Sequence, residues 1–160
     1  MKLAALVNRL GKVAWHADSD YLRRQVRYWT ATGLVDEDTK LRDQPRRHRD
    51  YDTRHLYRAA LLLELAKYGI PRWVMAQVVE QIRLRVSVYH EKYGSDPFED
   101  AAKGTGVLFI CYLLGGSPGV SEDRLLAELR IERVALDEIK MPFTASWITI
   151  DLNRVLERLS

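Results

Sequence analysis

Three arginines, Arg23, Arg24 and Arg27, lie within one helical turn of each other, and Tyr28 follows directly. On a helix, positions 20, 23, 24, 27 and 31 share one face, while Leu22, Val26 and Trp29 fall nearer the opposite face. A guanidinium is a rigid fork of donors. It grips guanine O6 and N7 together in a DNA major groove, or a phosphate. A second basic group follows at Lys40, Arg42, Arg46, Arg47, His48 and Arg49, and Tyr51 closes it. Asp36, Glu37, Asp38 and Asp43 offset part of that charge, so the density from Pro45 to Arg49 is what counts. A basic loop of this kind tracks phosphates or enters a minor groove. Tyr51 has two uses open to it, a hydrogen bond to phosphate or a pin holding the loop to the core. The bland alternative for the arginine stripe is a solvated charged face, which is what most such stripes are.

Other chemistries find little support. Cys111 is the sole cysteine of the 160-residue chain, so no intrachain disulfide and no thiolate-rich metal site can form. It lies in the apolar run from Val107 to Leu114, where a buried structural thiol is expected. His16, His48, His55 and His90 are scattered and read as ordinary surface or wing residues. Trp147, Tyr112, Tyr89 and Tyr93 read as core in preference to an aromatic pocket. The sequence holds no nucleophile elbow, no convincing acid/base pair and no Gly-rich phosphate loop. Gly115 to Gly119 is a turn with no P-loop lysine after it. The expectation is a protein that is not an enzyme and uses neither cofactor nor metal.

Charge is unevenly spread. Met1 to Tyr93 holds 18 Lys+Arg against 11 Asp+Glu, a net of +7, and Gly94 to Ser160 holds 7 against 11, a net of −4. A basic front and an acidic back suit a nucleic-acid module joined to something that should not bind DNA. No apolar run reaches the roughly 18 residues that a membrane helix needs. Asn8, Arg9 and Lys12 interrupt the apolar start before a full signal sequence forms. The expected setting is the cytoplasm, in association with the nucleoid.

The elements that must position these residues follow from periodicity and punctuation. Lys2 to Leu10 predicts a short amphipathic helix closed by Gly11. Asp18 or Ser19 caps a helix from Asp20 to Thr32, and Gly33 stops it. Asp36 to Arg49 lacks periodicity and predicts a loop or a short β-wing. Asp52 caps a helix from Thr53 to Tyr68, Gly69 ends it, and Pro71 opens the next, which runs to Tyr93. On that helix Met75, Val79, Ile82, Val86, Tyr89 and Tyr93 are spaced 4, 3, 4, 3, 4, a heptad seam suited to pairing with a second copy. The competing reading packs the helix on its own core, since Trp73, Val74 and Val78 are also apolar. Beyond Gly94-Ser95-Asp96-Pro97, Thr105 to Leu114 predicts a buried strand, Ser121 to Leu129 a short helix, Ser146 to Leu152 an alternating strand and Val155 to Leu159 a final helix. The expected fold class is mainly α with a small α+β part. Residues 1–70 form a DNA-binding unit, 71–94 a dimerisation helix and 95–160 a small α+β domain for effector or interaction.

The run Val26-Arg27-Tyr28-Trp29-Thr30-Ala31-Thr32-Gly33-Leu34-Val35 is followed by Arg49-Asp50-Tyr51, then by a long apolar helix ending at Gly69-Ile70-Pro71. This layout resembles the winged helix-turn-helix of the MerR family of bacterial transcription regulators, over Asp18 to Val79. In that pattern an arginine, two aromatics and a Gly-Leu-Leu stop precede a wing ending in Arg-x-Tyr. This chain departs from it in the longer Lys12 to Ser19 connection and in Pro45-Arg46-Arg47-His48, where glycines are common. The resemblance implies that Asp20 to Thr32 is the recognition helix and that Arg49 and Tyr51 serve wing–backbone contact. It further implies an antiparallel dimer helix, distortion of palindromic promoter DNA, and RNA polymerase as a further partner. Two rivals remain open: an architectural or excisionase-like accessory protein, and an adaptor whose basic stripe meets an acidic protein.

Overall fold

The computed structural model describes residues 1–14, 18–36, 40–43, 45, 49–113, 127–133 and 146–159. The chain is mainly helical, with one small sheet. Helix α1 (Leu3–Gly11) turns Leu6, Val7 and Leu10 inward. Helix α2 (Ser19–Ala31) begins at Asp18, whose carboxylate accepts the Asp20 amide at 3.2 Å. It buries Leu22, Val26, Trp29 and Thr30 and packs against α1. Gly33, at φ +76°, supplies the left-handed residue that lets the Leu34 amide reach back to the Trp29 carbonyl at 2.8 Å.

Where a loop or β-wing was expected, Lys40–Asp43 makes one helical turn, α3, and no strand occurs among the described residues from 36 to 49. The cause is local. The Asp36 carboxylate, 5 % exposed, accepts the Leu41 amide, and Leu41 is itself buried. A carboxylate bonded to an amide a few residues on favours a turn over a ladder.

Helix α4 (Thr53–Lys67) starts in a reciprocal cap. Asp52 accepts the His55 amide and His55 accepts the Asp52 amide, each at 3.0 Å. Helix α5 (Arg72–Tyr93) follows Pro71 and ends at Gly94. A short α6 (Pro97–Ala102), absent from the sequence reading, starts where Asp96 accepts the amides of Phe98 and Glu99.

Strands β1 (Leu108–Leu113), β2 (Ala127–Glu132) and β3 (Ser146–Asp151) form an antiparallel sheet in the order β2-β1-β3. Cys111 lies opposite Leu129 on one side and Ile148 on the other. The helix expected from Ser121 through Leu129 is corrected over its described part, because Ala127–Glu132 is strand. Ala-Glu-Leu-Arg-Ile-Glu is made of helix formers, yet it alternates apolar and charged residues with period two. Pairing with β1 rewards the alternation. Helix α7 (Leu152–Glu157) follows β3 directly, capped by Asp151.

The buried residues form one cluster from Leu6 to Leu159. Helix α5 packs on β2, α6 on α7, and α4 on α7. Arg9 donates through Nη2 to the Leu159 carbonyl at 3.0 Å, tying α1 to the end of the described chain. The basic front and the acidic back therefore share a core.

That core takes most of the heptad seam. Met75, Val79, Ile82 and Tyr89 are buried within the single chain, and Val86 and Tyr93 are partly buried against the same cluster. A side chain already 2 % exposed, as Ile82 is, has no apolar surface left to offer a second copy. The seam expectation is corrected accordingly. The spacing is the imprint of α5 packing on its own chain, as the competing reading had it.

Candidate nucleic-acid interface

On α2 the inward residues fix which side faces solvent. Arg24 and Arg27 are exposed, and neither has a partner among the described residues. Arg23 differs, since its Nη1 bonds Asp20 Oδ1 at 3.3 Å one turn back. An exposed pair of this sort contributes about 0–1 kcal/mol. Tyr28 is half-buried, and the Arg72 guanidinium stands 4.4 Å above its ring. Such a contact at an exposed site is worth about 0.5–1 kcal/mol. It brings the first turn of α5 beside the outward face of α2 and adds Arg72 to the cationic surface. Nothing in the sequence linked those two residues, which lie 44 positions apart.

Tyr51 is corrected. It is buried, and its hydroxyl meets Thr30 Oγ1 at 3.1 Å. Thr30 in turn donates to the Val26 carbonyl at 2.7 Å. The phenol is fully engaged inside, so it pins the segment to α2 and does not reach a phosphate. The Tyr51 amide also donates to the Met1 carbonyl at 2.8 Å. Beside it Lys2 donates to Asp50 at 2.8 Å, a bond that lowers the Asp50 pKa below its usual value.

The remaining basic candidates divide. Lys40 and Arg42 lie on α3, with side chains outside the described residues, as are Arg46, Arg47 and His48 altogether. Arg49 is half-buried and engaged. His55 is no ordinary surface residue. Its Nε2 lies 3.7 Å from Asp36, and it completes the α4 cap. Arg58, mostly buried in the same region, has its pKa pushed down to about 10 by that burial, with the charge of Asp96 working against the shift.

A second cluster joins α5, α6 and the end of β2. Asp100, 6 % exposed, accepts from the Tyr89 hydroxyl at 2.9 Å, from Ser95 Oγ at 2.6 Å and from Arg133. Arg133 also donates to the Tyr89 oxygen at 2.8 Å and to Ser95 Oγ at 2.9 Å. Its guanidinium sits 4.7 Å from the Tyr93 ring centre. Every hydroxyl in this network both donates and accepts, so the arrangement is structural in character and offers no free nucleophile or base.

Among the described residues no group of three or more His, Cys, Asp or Glu side chains is placed to hold a metal ion. No helix among them is long and apolar enough to cross a membrane. No family model, curated protein or solved structure matches the chain.

Proposed function

We propose that this chain is a sequence-specific, DNA-binding transcription regulator of the MerR-like type, binding palindromic promoter DNA as a homodimer and distorting it. The observation that carries the reading is the outward face of α2. Arg24 and Arg27 stand open on it, Tyr28 and Arg72 flank them, and the opposite face is anchored by Leu22, Val26 and Trp29. A stiff helix seated on a core and presenting two guanidinium forks with no partner among the described residues has the form that enters a major groove. In this reading α1 and α2 are the helix-turn-helix, the arginine-rich segment from 40 to 49 follows the phosphates, and RNA polymerase is a further partner.

The dimer contact in this reading moves from the buried seam to the outer side of α5, where Leu84 and Val88 are 58 % and 51 % exposed. They are one turn apart and form an apolar stripe that a second copy would cover.

Selection of bound duplexes from a random-sequence pool tests the whole proposal. An enriched palindrome is the expected result, and a pool that enriches nothing overturns the reading. On the selected site, Arg24→Ala and Arg27→Ala should each cost about 1–3 kcal/mol of specific binding and leave the thermal midpoint unchanged. At least one should relax the sequence preference. Unaltered affinity in both variants would remove α2 from the groove.

A further inference from the structure

We infer that the cleft between the second half of α5 and the end of β2 is a binding site for a small organic carboxylate with a compact apolar body. The inference stands apart from the DNA reading and shares only Val88 with the proposed dimer contact.

The cleft has a volume of about 320 Å³ and lies where α5 packs on β2. Its α5 wall runs from Arg85 to Tyr93, and its β2 wall is Ile131 and Glu132. Ligand pockets span about 300–1,000 Å³, so this one suits a small molecule. Residues three, four and seven apart share one face of a helix, which puts Arg85, Val88, Tyr89 and Lys92 on the same side of α5.

The charges in the cleft are unbalanced. Arg85 is half-buried, yet it makes no hydrogen bond or ion pair among the described residues. A guanidinium drawn partly out of water without an acceptor is unfavourable, and a carboxylate matches its fork with two parallel bonds. Lys92, two turns further along α5, brings a second cation to the cleft, its ammonium 4.9 Å from the Tyr93 ring centre. Glu132 alone opposes them. Arg133, close by, is committed to Asp100, Tyr89 and Ser95.

The rest of the wall is apolar. Val88 is 51 % exposed, and Ile131 faces the cleft from the strand. The Tyr89 and Tyr93 rings meet at 4.6 Å between centres. The Tyr89 hydroxyl donates to Asp100 and accepts from Arg133, so this residue adds wall and no open donor. A ligand body resting on Val88 and Ile131, with its carboxylate toward Arg85 and Lys92, covers both kinds of surface. A neutral hydrocarbon leaves Arg85 without an acceptor. An anion without an apolar body leaves Val88 in water.

The test is titration of benzoate into the isotope-labelled full chain, followed by amide chemical shifts. Benzyl alcohol keeps the ring and drops the charge, and acetate keeps the charge and drops the ring. Benzoate should shift the amides of 85–93 and of Ile131 and Glu132 saturably, with a dissociation constant of about 10 mM or tighter. Both controls should bind at least about tenfold more weakly. Arg85→Gln should keep the thermal midpoint and weaken benzoate about tenfold or more. Lys92→Gln, at an exposed position, should weaken it by a smaller factor. Should Arg85→Gln fail to fold, Lys92→Gln decides in its place. Absence of a saturable shift, benzyl alcohol binding as tightly as benzoate, or a folded Arg85→Gln variant that binds benzoate like the parent overturns the inference.

Discussion

A carboxylate placed at Ile82 should unfold this chain, and one placed at Leu84 should not. The two residues are neighbours on α5, but Ile82 is 2 % exposed and Leu84 is 58 % exposed. Ile82→Asp buries an uncompensated charge in the cluster that unites all parts of the fold. The cost is several kcal/mol, against a total stability of about 5–15 kcal/mol for a domain. Urea unfolding of Ile82→Asp should show most of the parent's stability gone, or no cooperative transition at all. Leu84→Asp should change stability by no more than about 0.5 kcal/mol, as surface substitutions do. In sedimentation it should dissociate a dimer, if a second copy covers the Leu84 and Val88 stripe. A stable, cooperative Ile82→Asp variant that is merely monomeric would return the seam to an intermolecular role.

That contrast shows what periodicity can and cannot say. The 4-3-4-3-4 spacing correctly marks a buried stripe, because burial on any neighbour imposes the same repeat. It does not name the neighbour. Here α5 packs on β2, whose first three residues fall within the helix expected from Ser121 through Leu129. The spacing alone leaves that strand and a second copy equally open as the cover for α5, and the preference for a second copy comes from the advantage of pairing and from the family resemblance.

Boundaries marked by local chemistry were legible. Asp18 and Asp52 as caps, and Gly33, Gly69 and Gly94 as left-handed stops, act through bonds a few residues long. The outward arginines of α2 were legible for the same reason, since the buried face of the same helix fixes them. What depended on distant partners was not. The Arg72–Tyr28 contact, the burial of Asp36 and the Tyr51–Thr30 bond join residues that the sequence separates. Asp36 reads in the sequence only as charge offsetting the arginines, whereas its carboxylate is buried and accepts the Leu41 amide. Tyr51 had both roles open, and the interior position decides for the pin.

Loss of the Asp100 carboxylate should be the other large effect. The group is almost wholly removed from water, yet three donors converge on one of its oxygens. Burial raises its pKa, but the bonds from Ser95, Arg133 and Tyr89 outweigh that and leave it below the usual value. It is therefore ionised at neutral pH and holds three elements together. Asp100→Ala leaves a guanidinium and two hydroxyls without their acceptor, and should lower the urea midpoint clearly. Tyr89→Phe removes one donor and should cost less, about 1–3 kcal/mol. Burial pushes the Tyr89 hydroxyl up to about 12, so it remains a donor well into alkaline solution. The acid side carries the sign. A carboxyl whose folded pKa is depressed contributes in full above its unfolded value, and that contribution is lost as pH falls through the folded value. The parent should therefore lose stability on acidification to a degree that Asp100→Asn does not, and the two urea midpoints should converge at low pH. Parallel acid profiles for parent and Asp100→Asn, or an Asp100→Ala variant that melts with the parent, would show that the sheet is held to α5 by apolar contact alone.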